Sequence, residues 1–424
     1  MKTTIIATGD AFITKNVTDY DGFKEISDVI KSHDVRFNNL EITVHDKAGY
    51  PSAFSGGTWA MTSEDVLDDL LKYGFNVVNT ANNHSLDYSH GGLIATCENL
   101  EKRGIPYVGT GRNMRDASKP VYIKAGDATV ALIGLCSTFH DSDRAGNDSD
   151  EIQGRPGLNT LRFQEIYHVT SDEFEALLKI AKGTDINSFE DFRIKNGYAK
   201  PLPDGILNFG GNRFVRDTKT FRETRCNKTD LERIVNSVKE ARENADTVLV
   251  SVHSHEIVDA DPVIPSQFYK ECCHACIDAG ADAILGHGPH ELRGVEIYNK
   301  KPIFYSLGNF IFQTTTVSLQ PADAYENGGF PKGTTVKEYM DARSANGTKG
   351  YIVQPSIWIA CMASITIEDG CVTDVTVHPI NIGLDEKTKE VSFPTLAKDD
   401  EITDYLAKLS APFGTEFDGR KVVL

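Results

Sequence analysis

Short apolar runs of β-strand type alternate with helical patterns through the first 135 residues. The strand-type runs are "TTIIAT", "VRFNNLEI", "FNVVNT" and "IPYVGTG", and helical segments such as "SEDVLDDLLKYG" separate them. Strands that alternate with helices in this way form βαβ units, which build a largely parallel sheet. The pattern therefore predicts an α/β fold for this part of the chain.

Two irregular stretches interrupt this rhythm. Residues from about 137 to 230 are polar and lack a repeating strand and helix pattern, which predicts a lid-like insertion. The α/β pattern resumes with "DTVLVSVH" and "DAILGH", and a second irregular stretch covers about 315 to 350. A chain of 424 residues can form one large domain with additions or two domains. We expect one domain over 1–424, with an irregular insertion at about 137–230 and a β-rich C-terminal part at about 350–424.

The net charge and the distribution of apolar residues bear on the partners and the location of the protein. A formal net charge of −17 argues against nucleic acid, because phosphate backbones are bound by basic surfaces. No uncharged stretch approaches the roughly 20 apolar residues of a membrane-spanning helix. The start, "MKTTIIATGD", is too short in apolar residues for a secretory signal. We therefore expect an intracellular, cytoplasmic protein without a membrane span.

The eight cysteines lack the density and spacing of a disulfide framework, so reduced thiols are expected. Three of them fall in "ECCHAC" at 271 to 276, a sequence that could also suggest zinc. The surrounding "QFYKECCHACIDAGAD" has the periodicity of a helix that packs on a sheet. Because a free cysteine behaves as a small apolar residue, we favour core packing for this motif over a metal site.

A side chain that could bind a metal follows each of five predicted strands. In an open α/β sheet the carboxyl ends of the strands converge on one crevice, where such folds place ligands. Each motif alone is weak evidence, since Asn-Asn-His is typical of polar turns. Together, carboxylate, amide and imidazole groups suit Mn²⁺, Fe²⁺ or Zn²⁺. The candidates are Asp10, Glu41, Asn83, His84, His253, His287 and His290.

The order of these motifs resembles that of the CapA family, named for a component of poly-γ-glutamate capsule biosynthesis. The matching segments are "TGD" at 8–10, "NLE" at 39–41, "TANNHSLDYSHGG" at 80–92, "GRPGLN" at 154–159, "VSVHSHE" at 250–256, "GADAILGHGPH" at 280–290 and "PIFYSLGNFIF" at 302–312. They lie in about residues 1–135 and 240–315, apart from "GRPGLN". The resemblance implies a metallophosphoesterase-like fold, a four-layer α/β/β/α sandwich with an irregular insertion.

The resemblance also implies roles for individual residues and a cofactor of one or two divalent metal ions (Mn, Fe or Zn). The implied ligands are Asp10 and His290 for the first metal, Glu41 as a bridge, and Asn83, His253 and His287 for the second. His84 would be the proton donor. Asp87 could orient the imidazole of His84, as carboxylates commonly do for metal-site and catalytic histidines. An exposed loop position is the alternative for Asp87.

This chain departs from the family pattern at three places. Phe12 stands where phosphoesterases have a histidine, so the first metal could lack a ligand. CapA-like chains usually have Gly-His-His-Pro-His where this chain has Gly288 in place of the middle histidine, and they tend to have His-Trp-Gly where Ser254 and His255 follow His253. One imidazole is thus lost and another gained. We predict that His255 faces the pocket as a substrate-binding residue, with a surface position as the alternative.

Two features bear on the substrate. Residues 192–228 hold nine Lys or Arg against three acids, a net charge of +6 in an acidic chain. This segment could attract an anionic ligand, or it could be a solvated face that neutralises acidic neighbours. Arg155 in "GRPG" is a candidate carboxylate clamp, because a guanidinium group matches a carboxylate with two parallel hydrogen bonds.

These observations favour a metal-dependent hydrolase that uses a metal-activated water on a peptide, γ-glutamyl or other anionic substrate. One alternative is a metal-dependent peptide epimerase that moves a proton at Cα. Another is a non-catalytic capsule polymer assembly or binding protein. The expected partner is a small-molecule, peptide or polyglutamate-type anion, and assembly into a homo-oligomer is left open.

Overall fold

The computed structural model describes residues 1–17, 20–384 and 393–424. Within these ranges the α-helices, in chain order from α1 to α11, are Phe23–Lys31, Val66–Tyr73, Ser89–Lys102, Met114–Ser118, Ser171–Thr184, Ser188–Lys195, Lys228–Asn244, Gln267–Ala279, Ala322–Asn327, Val336–Arg343 and Glu401–Ser410.

The strands of the same ranges are numbered β1 to β24. The first twelve are Lys2–Phe12, Val35–Leu40, Thr43–Val44, Met61–Thr62, Val77–Asn79, Tyr107–Val108, Thr110–Gly111, Val121–Ala125, Ala128–Cys136, Gly157–Leu158, Phe163–Val169 and Ile206–Phe209. The remaining twelve are Asn212–Arg216, Phe221–Cys226, Thr247–His253, Ala283–His287, Leu292–Tyr298, Lys301–Leu307, Asn309–Phe312, Ile359–Glu368, Cys371–Asn381, Thr395–Leu396, Phe417–Asp418 and Lys421–Val422.

Two mixed sheets make up most of the fold. The ten-stranded sheet has the order β23-β24-β21-β20-β1-β2-β5-β6, with β19 on β1 and β22 on β21. Its strands β1, β2, β5 and β6 run parallel, as the alternation of strands and helices predicts. The six-stranded sheet has the order β17-β18-β16-β15-β9-β8, with β9, β15, β16 and β18 parallel. The prediction of an α/β fold is confirmed.

Three apolar clusters hold these layers together. The first joins α1 and α2 to the larger sheet, for example Ile26 to Ile6. The second contains residues of both sheets, such as Phe37 and Phe304, and the third joins α7 and α8 to the smaller sheet. Full burial of such a side chain contributes about 1.5–3 kcal/mol. The parallel centres of both sheets are therefore fixed by packing on either side.

The predicted insertion contains a small sheet of its own. Strands β11 to β14 pair in the order β12-β13-β11-β14, and α5 and α6 accompany them. Several cations of this basic segment form ion pairs within it: Arg216 with Glu175, Arg222 with Glu165, and Arg225 with Glu223. Much of its positive charge is thus compensated locally. Exposed pairs of this kind contribute little to stability.

Two further expectations concern the cysteines and the membrane. Cys272, Cys273 and Cys276 pack in the apolar cluster beneath α8, as predicted for the "ECCHAC" motif. Burial raises the pKa of the Cys273 thiol well above its ordinary value, which keeps it protonated. Among the helices of the described ranges, none combines the length and the apolar character that crossing a bilayer requires.

Candidate metal centre

Strand ends from both large sheets bring the predicted side chains to one place. Asp10 lies near the end of β1, and Glu41 directly follows β2. His253 and His287 are the last residues of β15 and β16 and face each other in the ladder. Parallel strands end at the same edge of each sheet, and the core shared by the two sheets brings these two edges together.

A close backbone approach fixes the position of Asp10. The amide of Asp10 donates to the carbonyl oxygen of Gly308 at 3.0 Å. A Cβ atom on the preceding residue, Gly9, would lie 1.8 Å from that same oxygen. Only glycine fits before Asp10, which explains the "TGD" motif in terms of space.

The first group of ligand-type side chains consists of Asp10, His253 and His287, all fully buried. The Nδ1 atoms of His253 and His287 are 2.9 Å apart. Oδ1 of Asp10 lies 3.6 Å from Nδ1 of His287 and 3.8 Å from Nδ1 of His253. All three ligand atoms lie within 4.8 Å of one another, so one cation could contact them together.

The second group consists of Glu41, His255 and His290. Glu41 places Oε1 3.9 Å from Nε2 of His255 and Oε2 3.7 Å from Nδ1 of His290. His253 lies between the two groups, because its Nε2 is 3.0 Å from Nε2 of His255 and 3.6 Å from Oε1 of Glu41. The two groups are therefore adjacent and could hold two neighbouring ions.

The carboxylate of Glu41 tests whether this pocket suits a cation. Both of its oxygens are buried and have no hydrogen-bond partner among the described residues. A buried polar atom without a partner costs about 1–3 kcal/mol, and more when it is charged. Burial raises the pKa of Glu41 well above its ordinary value, and Asp10 and Asp87 add to this. A divalent cation would remove both penalties, so the residues fit a metal.

The protonation states of the other groups agree with that conclusion. Burial raises the pKa of Asp10 to about 7, opposed by hydrogen bonds from Asn39 and the amide of Gly288. Burial lowers the pKa of His287 and of His290 to about 3, so both imidazoles are neutral near pH 7. Neutral imidazole is the form that binds metal ions. Nitrogen and oxygen donors of this kind suit Mn²⁺, Fe²⁺ or Zn²⁺.

The "NNHSLD" turn forms one wall of the site. Oδ1 of Asn83 lies 2.7 Å from Nε2 of His253. Nδ1 of His84 lies 2.8 Å from Oδ2 of Asp87, which is buried rather than exposed in a loop. Asp87 also accepts hydrogen bonds from the amides of Gly56 and Ala60. This carboxylate therefore fixes both the imidazole of His84 and the 52–60 loop.

Comparison with known proteins identifies the family. The sequence model described as "Bacterial capsule synthesis protein PGA_cap" matches residues 4–314. The chain belongs to this family. The expected resemblance to CapA proteins is thereby confirmed.

Relatives within the capsule synthesis protein family differ in how much they share. "Uncharacterized protein y4sH" of Sinorhizobium fredii is 30% identical over 97% of this chain and 90% of its own length. "PGA biosynthesis protein CapA" of Bacillus subtilis is 26% identical over 68% of this chain and 56% of its own length. "Capsule biosynthesis protein CapA" of Bacillus anthracis is 26% identical over 73% and 60%, respectively.

Among solved structures, the match titled "GAP50 the anchor in the inner membrane complex of Plasmodium" covers 96% of this chain and 95% of that chain. Its identity is 8% and its TM-score is 0.28, which is too low to support an inference.

The loss of an imidazole at position 288 and the gain of one at position 255 have a spatial explanation. Gly288 has φ +128°, and a Cβ atom there would lie 2.8 Å from the backbone nitrogen and oxygen of Ser254. The amide of Gly288 donates to Oδ2 of Asp10 at 3.1 Å. The two turns that differ from the capsule family pattern are thus in contact. His255, predicted to face the pocket as a substrate-binding residue, stands among the ligand-type side chains of the second group.

Arg155 is not among the residues that the structure brings together. Its side chain is exposed, and its Nε donates to the carbonyl oxygen of Arg144 at 2.9 Å. The "GRPG" motif therefore offers no contact with either group. Its conformation is explained by the local turn, since Gly157 at the start of β10 passes close to the backbone of Asp143.

Two asparagines hold the ligand-type side chains: Asn39, to which sequence reasoning gave no role, and Asn309, for which the "SLGNF" turn suggested a structural role near the site. Nδ2 of Asn39 donates to Oδ1 of Asp10 at 2.7 Å. Oδ1 of Asn309 lies 2.9 Å from Nδ1 of His290. Asn39 stands two residues before Glu41, so alternation along an extended chain could have placed it on the same side.

Arg293 secures the loop that carries His255. This arginine is fully buried, and it donates to the carbonyl oxygens of Pro262, Ser254 and Glu256 at 2.7, 3.2 and 2.9 Å. Replacing it with methionine should lower the free energy of unfolding by about 2–4 kcal/mol, because buried carbonyls lose their donors. It should also reduce the metal content of the purified protein, because His255 is released.

Chemical denaturation and elemental analysis measure both effects of Arg293→Met. Arg112→Met is the matched control, since Arg112 forms an exposed ion pair with Glu98 and should change stability by less than about 0.5 kcal/mol. Wild-type stability and wild-type metal content in Arg293→Met would contradict this role.

Proposed function

We propose that the chain is a metal-dependent hydrolase of the capsule synthesis protein family, with a cofactor of one or two divalent ions. The observation that carries this proposal concerns Glu41, a member of the second of two adjacent groups of ligand-type side chains: both of its oxygens are buried and have no hydrogen-bond partner among the described residues. The residues proposed to hold the ions are Asp10, Glu41, Asn83, His253, His255, His287 and His290.

We also propose the finer fold and domain assignments. Helices on one sheet, a core shared by two sheets, and helices on the other sheet support a metallophosphoesterase-like α/β/β/α sandwich. The insertion at about 137–230 and the β-rich part at about 350–424 would be additions to one domain over 1–424.

The reaction would use two kinds of group. A bound ion would lower the pKa of a water and polarise the scissile carbonyl or phosphoryl group. His84 would move the proton. Because Asp87 accepts from Nδ1–H of His84, Nε2 is the atom that gains or gives the proton. The ring of Phe12 packs edge-on against His84 at 5.0 Å, which limits water on that side.

The proposed substrate is a peptide-type or γ-glutamyl anion. Its support is that two relatives are named for PGA biosynthesis and for capsule biosynthesis. The basic segment 192–228, with a net charge of +6, would also attract a polymer or oligomer with repeated carboxylates, although ion pairs compensate part of this charge.

Metal removal tests the proposal. The purified protein is analysed for metals, treated with a chelator, and reloaded with Mn²⁺, Fe²⁺ or Zn²⁺ while cleavage of a γ-glutamyl peptide is followed. Cleavage should stop when the metal is removed and should return when at least one of these ions is added. Cleavage by metal-free protein would exclude the proposal.

Two other outcomes would select the alternatives. Deuterium uptake at Cα without cleavage would identify an epimerase. Binding of polyglutamate without any turnover by the metal-loaded protein would identify an assembly component.

A further inference from the structure

The second irregular stretch of the chain reaches the rim of the metal centre. Tyr351 begins a 3₁₀ turn at Tyr351–Val353. Its ring lies edge-on to the imidazole of His290, with 5.3 Å between the ring centres, and 5.6 Å from the ring of Phe312. Tyr351 is 44% exposed. It therefore contacts a ligand-type histidine on one side and solvent on the other.

Arg343, the last residue of α10, approaches the same rim from the neighbouring loop. Its Nη2 donates to the carbonyl oxygen of Gly57 at 2.6 Å. The adjacent carbonyl, that of Gly56, accepts a hydrogen bond from Nδ2 of Asn83 at 2.8 Å. Oδ1 of Asn83 in turn contacts His253. The guanidinium of Arg343 is therefore linked to the metal-site histidines through the backbone of Gly56 and Gly57 and the side chain of Asn83.

The guanidinium of Arg343 keeps donors available. It is exposed, and it forms no ion pair with any acid in the described ranges. This sets it apart from the insertion's cations Arg216, Arg222 and Arg225, which are paired with acids. Arg343 therefore brings an uncompensated positive charge close to a centre rich in carboxylates.

Packing fixes α10 against the wall of the crevice. Tyr339 of α10 is buried in a cluster with Trp59 and Tyr88. Nε2 of Gln320 donates to the carbonyl oxygen of Trp59 at 2.9 Å. The 52–60 loop is in turn held by Asp87. Arg343 is thus presented by a supported element, as a binding residue requires.

We propose that Arg343 and Tyr351 form a subsite for a carboxylate group of the substrate at the rim of the metal centre. This inference rests on the proposed function, because it places the substrate next to the ions. It replaces Arg155 as the carboxylate clamp. The substrate class that follows is a peptide or peptide-like molecule with a free carboxylate near the bond that reacts, as in a γ-glutamyl linkage.

The chemistry of the two side chains favours a carboxylate over a phosphate. One guanidinium matches one planar carboxylate with two parallel hydrogen bonds. The hydroxyl of Tyr351 is a protonated hydrogen-bond donor near pH 7, because an ordinary phenol has a pKa of about 10. One guanidinium balances the charge of a monoanionic carboxylate, whereas a phosphate dianion would keep one charge unpaired.

Glutarate and inorganic phosphate are the probes for this subsite, titrated into the full chain with its metal. Binding is followed by calorimetry and by the fluorescence of Trp59 and Trp358, the two tryptophans of the chain. Arg343→Gln should weaken glutarate binding about tenfold or more, and Tyr351→Phe about threefold to fivefold. Lys349→Gln is the matched control, an exposed cation of the same stretch, and should stay within twofold of wild type.

A second arm separates the subsite from the metal and from a structural role. In chelator-treated protein, the ratio of the glutarate affinities of wild type and Arg343→Gln should persist, because the contact between Arg343 and the carboxylate does not depend on a metal ion. Melting temperature and metal content of Arg343→Gln should match wild type. A lowered melting temperature with metal loss would instead show that Arg343 only links α10 to Gly57.

Several results would overturn the proposal. The first is an unchanged glutarate affinity in Arg343→Gln, and the second is a loss of glutarate affinity in Lys349→Gln as large as in Arg343→Gln. The third is phosphate binding that is tighter than glutarate binding and depends on Arg343 to the same extent. Failure of the hydrolase proposal can be told apart from failure of the subsite proposal. Glutarate binding that depends on Arg343, without any turnover, would contradict the hydrolase but leave the subsite in place.

Discussion

His253→Ala is expected to purify with neither metal group occupied and with turnover reduced in proportion. The imidazole contacts both groups, because its Nδ1 is 2.9 Å from His287 and its Nε2 is 3.0 Å from His255. Loss of a residue that merely supports a ligand lowers metal affinity about 10–100-fold, so loss of a shared ligand should exceed about 100-fold. Elemental analysis and metal titration of the purified variant measure this directly.

A histidine outside the metal centre provides the control. His274 lies on α8, where its Nε2 is 3.0 Å from Glu296 and its ring stacks on Tyr298. His274→Gln should retain wild-type metal content and turnover. Because His253 is fully buried, thermal unfolding of His253→Ala is compared with that of chelator-treated wild type. Two equivalents of tightly bound metal in His253→Ala would remove the ligand assignment.

His84→Gln is expected to lower kcat by about 10²–10⁴-fold, the range for loss of a general acid or base. Metal content should not change, because the hydrogen bond of Nδ1 goes to Asp87 rather than to a member of either group. Single-turnover kinetics with a γ-glutamyl peptide, together with metal analysis of the same sample, would measure both quantities. A loss of kcat without loss of metal separates proton transfer from ligand binding.

Asp87→Asn is the companion variant. The amide keeps the shape of the carboxylate and one acceptor, but it cannot accept from His84, Gly56 and Ala60 as the carboxylate does. We expect a smaller loss of kcat than for His84→Gln, with a measurable loss of stability. Wild-type kcat in His84→Gln would refute the proton-transfer role, and loss of metal there would make His84 a ligand.

The convergence of the strand ends could be predicted in part from the sequence. Asp10, His253 and His287 each follow an apolar run, and parallel strands of one sheet must end at a common edge. The period of the pattern and the topology of βαβ units place Asp10 at one sheet edge and His253 with His287 at another. The packing that brings the two sheets together has no such signal in the sequence. The same reasoning placed "ECCHAC" on a helix that packs on a sheet, since its apolar positions recur at helical spacing.

The division of the ligand-type residues could not be predicted in the same way. The resemblance assigned His290 to the first metal and left His255 to the substrate. In the structure Nδ1 of His290 lies 3.6 Å from Oδ2 of Asp10 and 3.7 Å from Oε2 of Glu41, and His255 stands beside Glu41. That grouping depends on the contact between the turns at Gly288 and Ser254, which are far apart in sequence. Contacts of this kind follow from backbone geometry and have no periodic signature.

Residues at the rim were even less accessible to sequence reasoning. Arg343 and Tyr351 lie in a stretch without a strand or helix rhythm. Packing of Tyr339 against Trp59 positions the helix that ends at Arg343, and ring contacts with His290 and Phe312 position Tyr351. Arg155 had the more suggestive motif but contacts Arg144.

The position of β1 has a consequence for how this protein can be divided. The family match ends at residue 314, yet β1 pairs along six positions, from Lys2 with Glu368 to Ala7 with Ala363, with a strand beyond that limit. Cutting the gene at the family boundary would strip β20 from one side of β1 and expose its backbone along that edge. Such an open edge recruits other chains. Shortened forms should therefore precipitate, and expression plasmids need to extend through residue 381 at least.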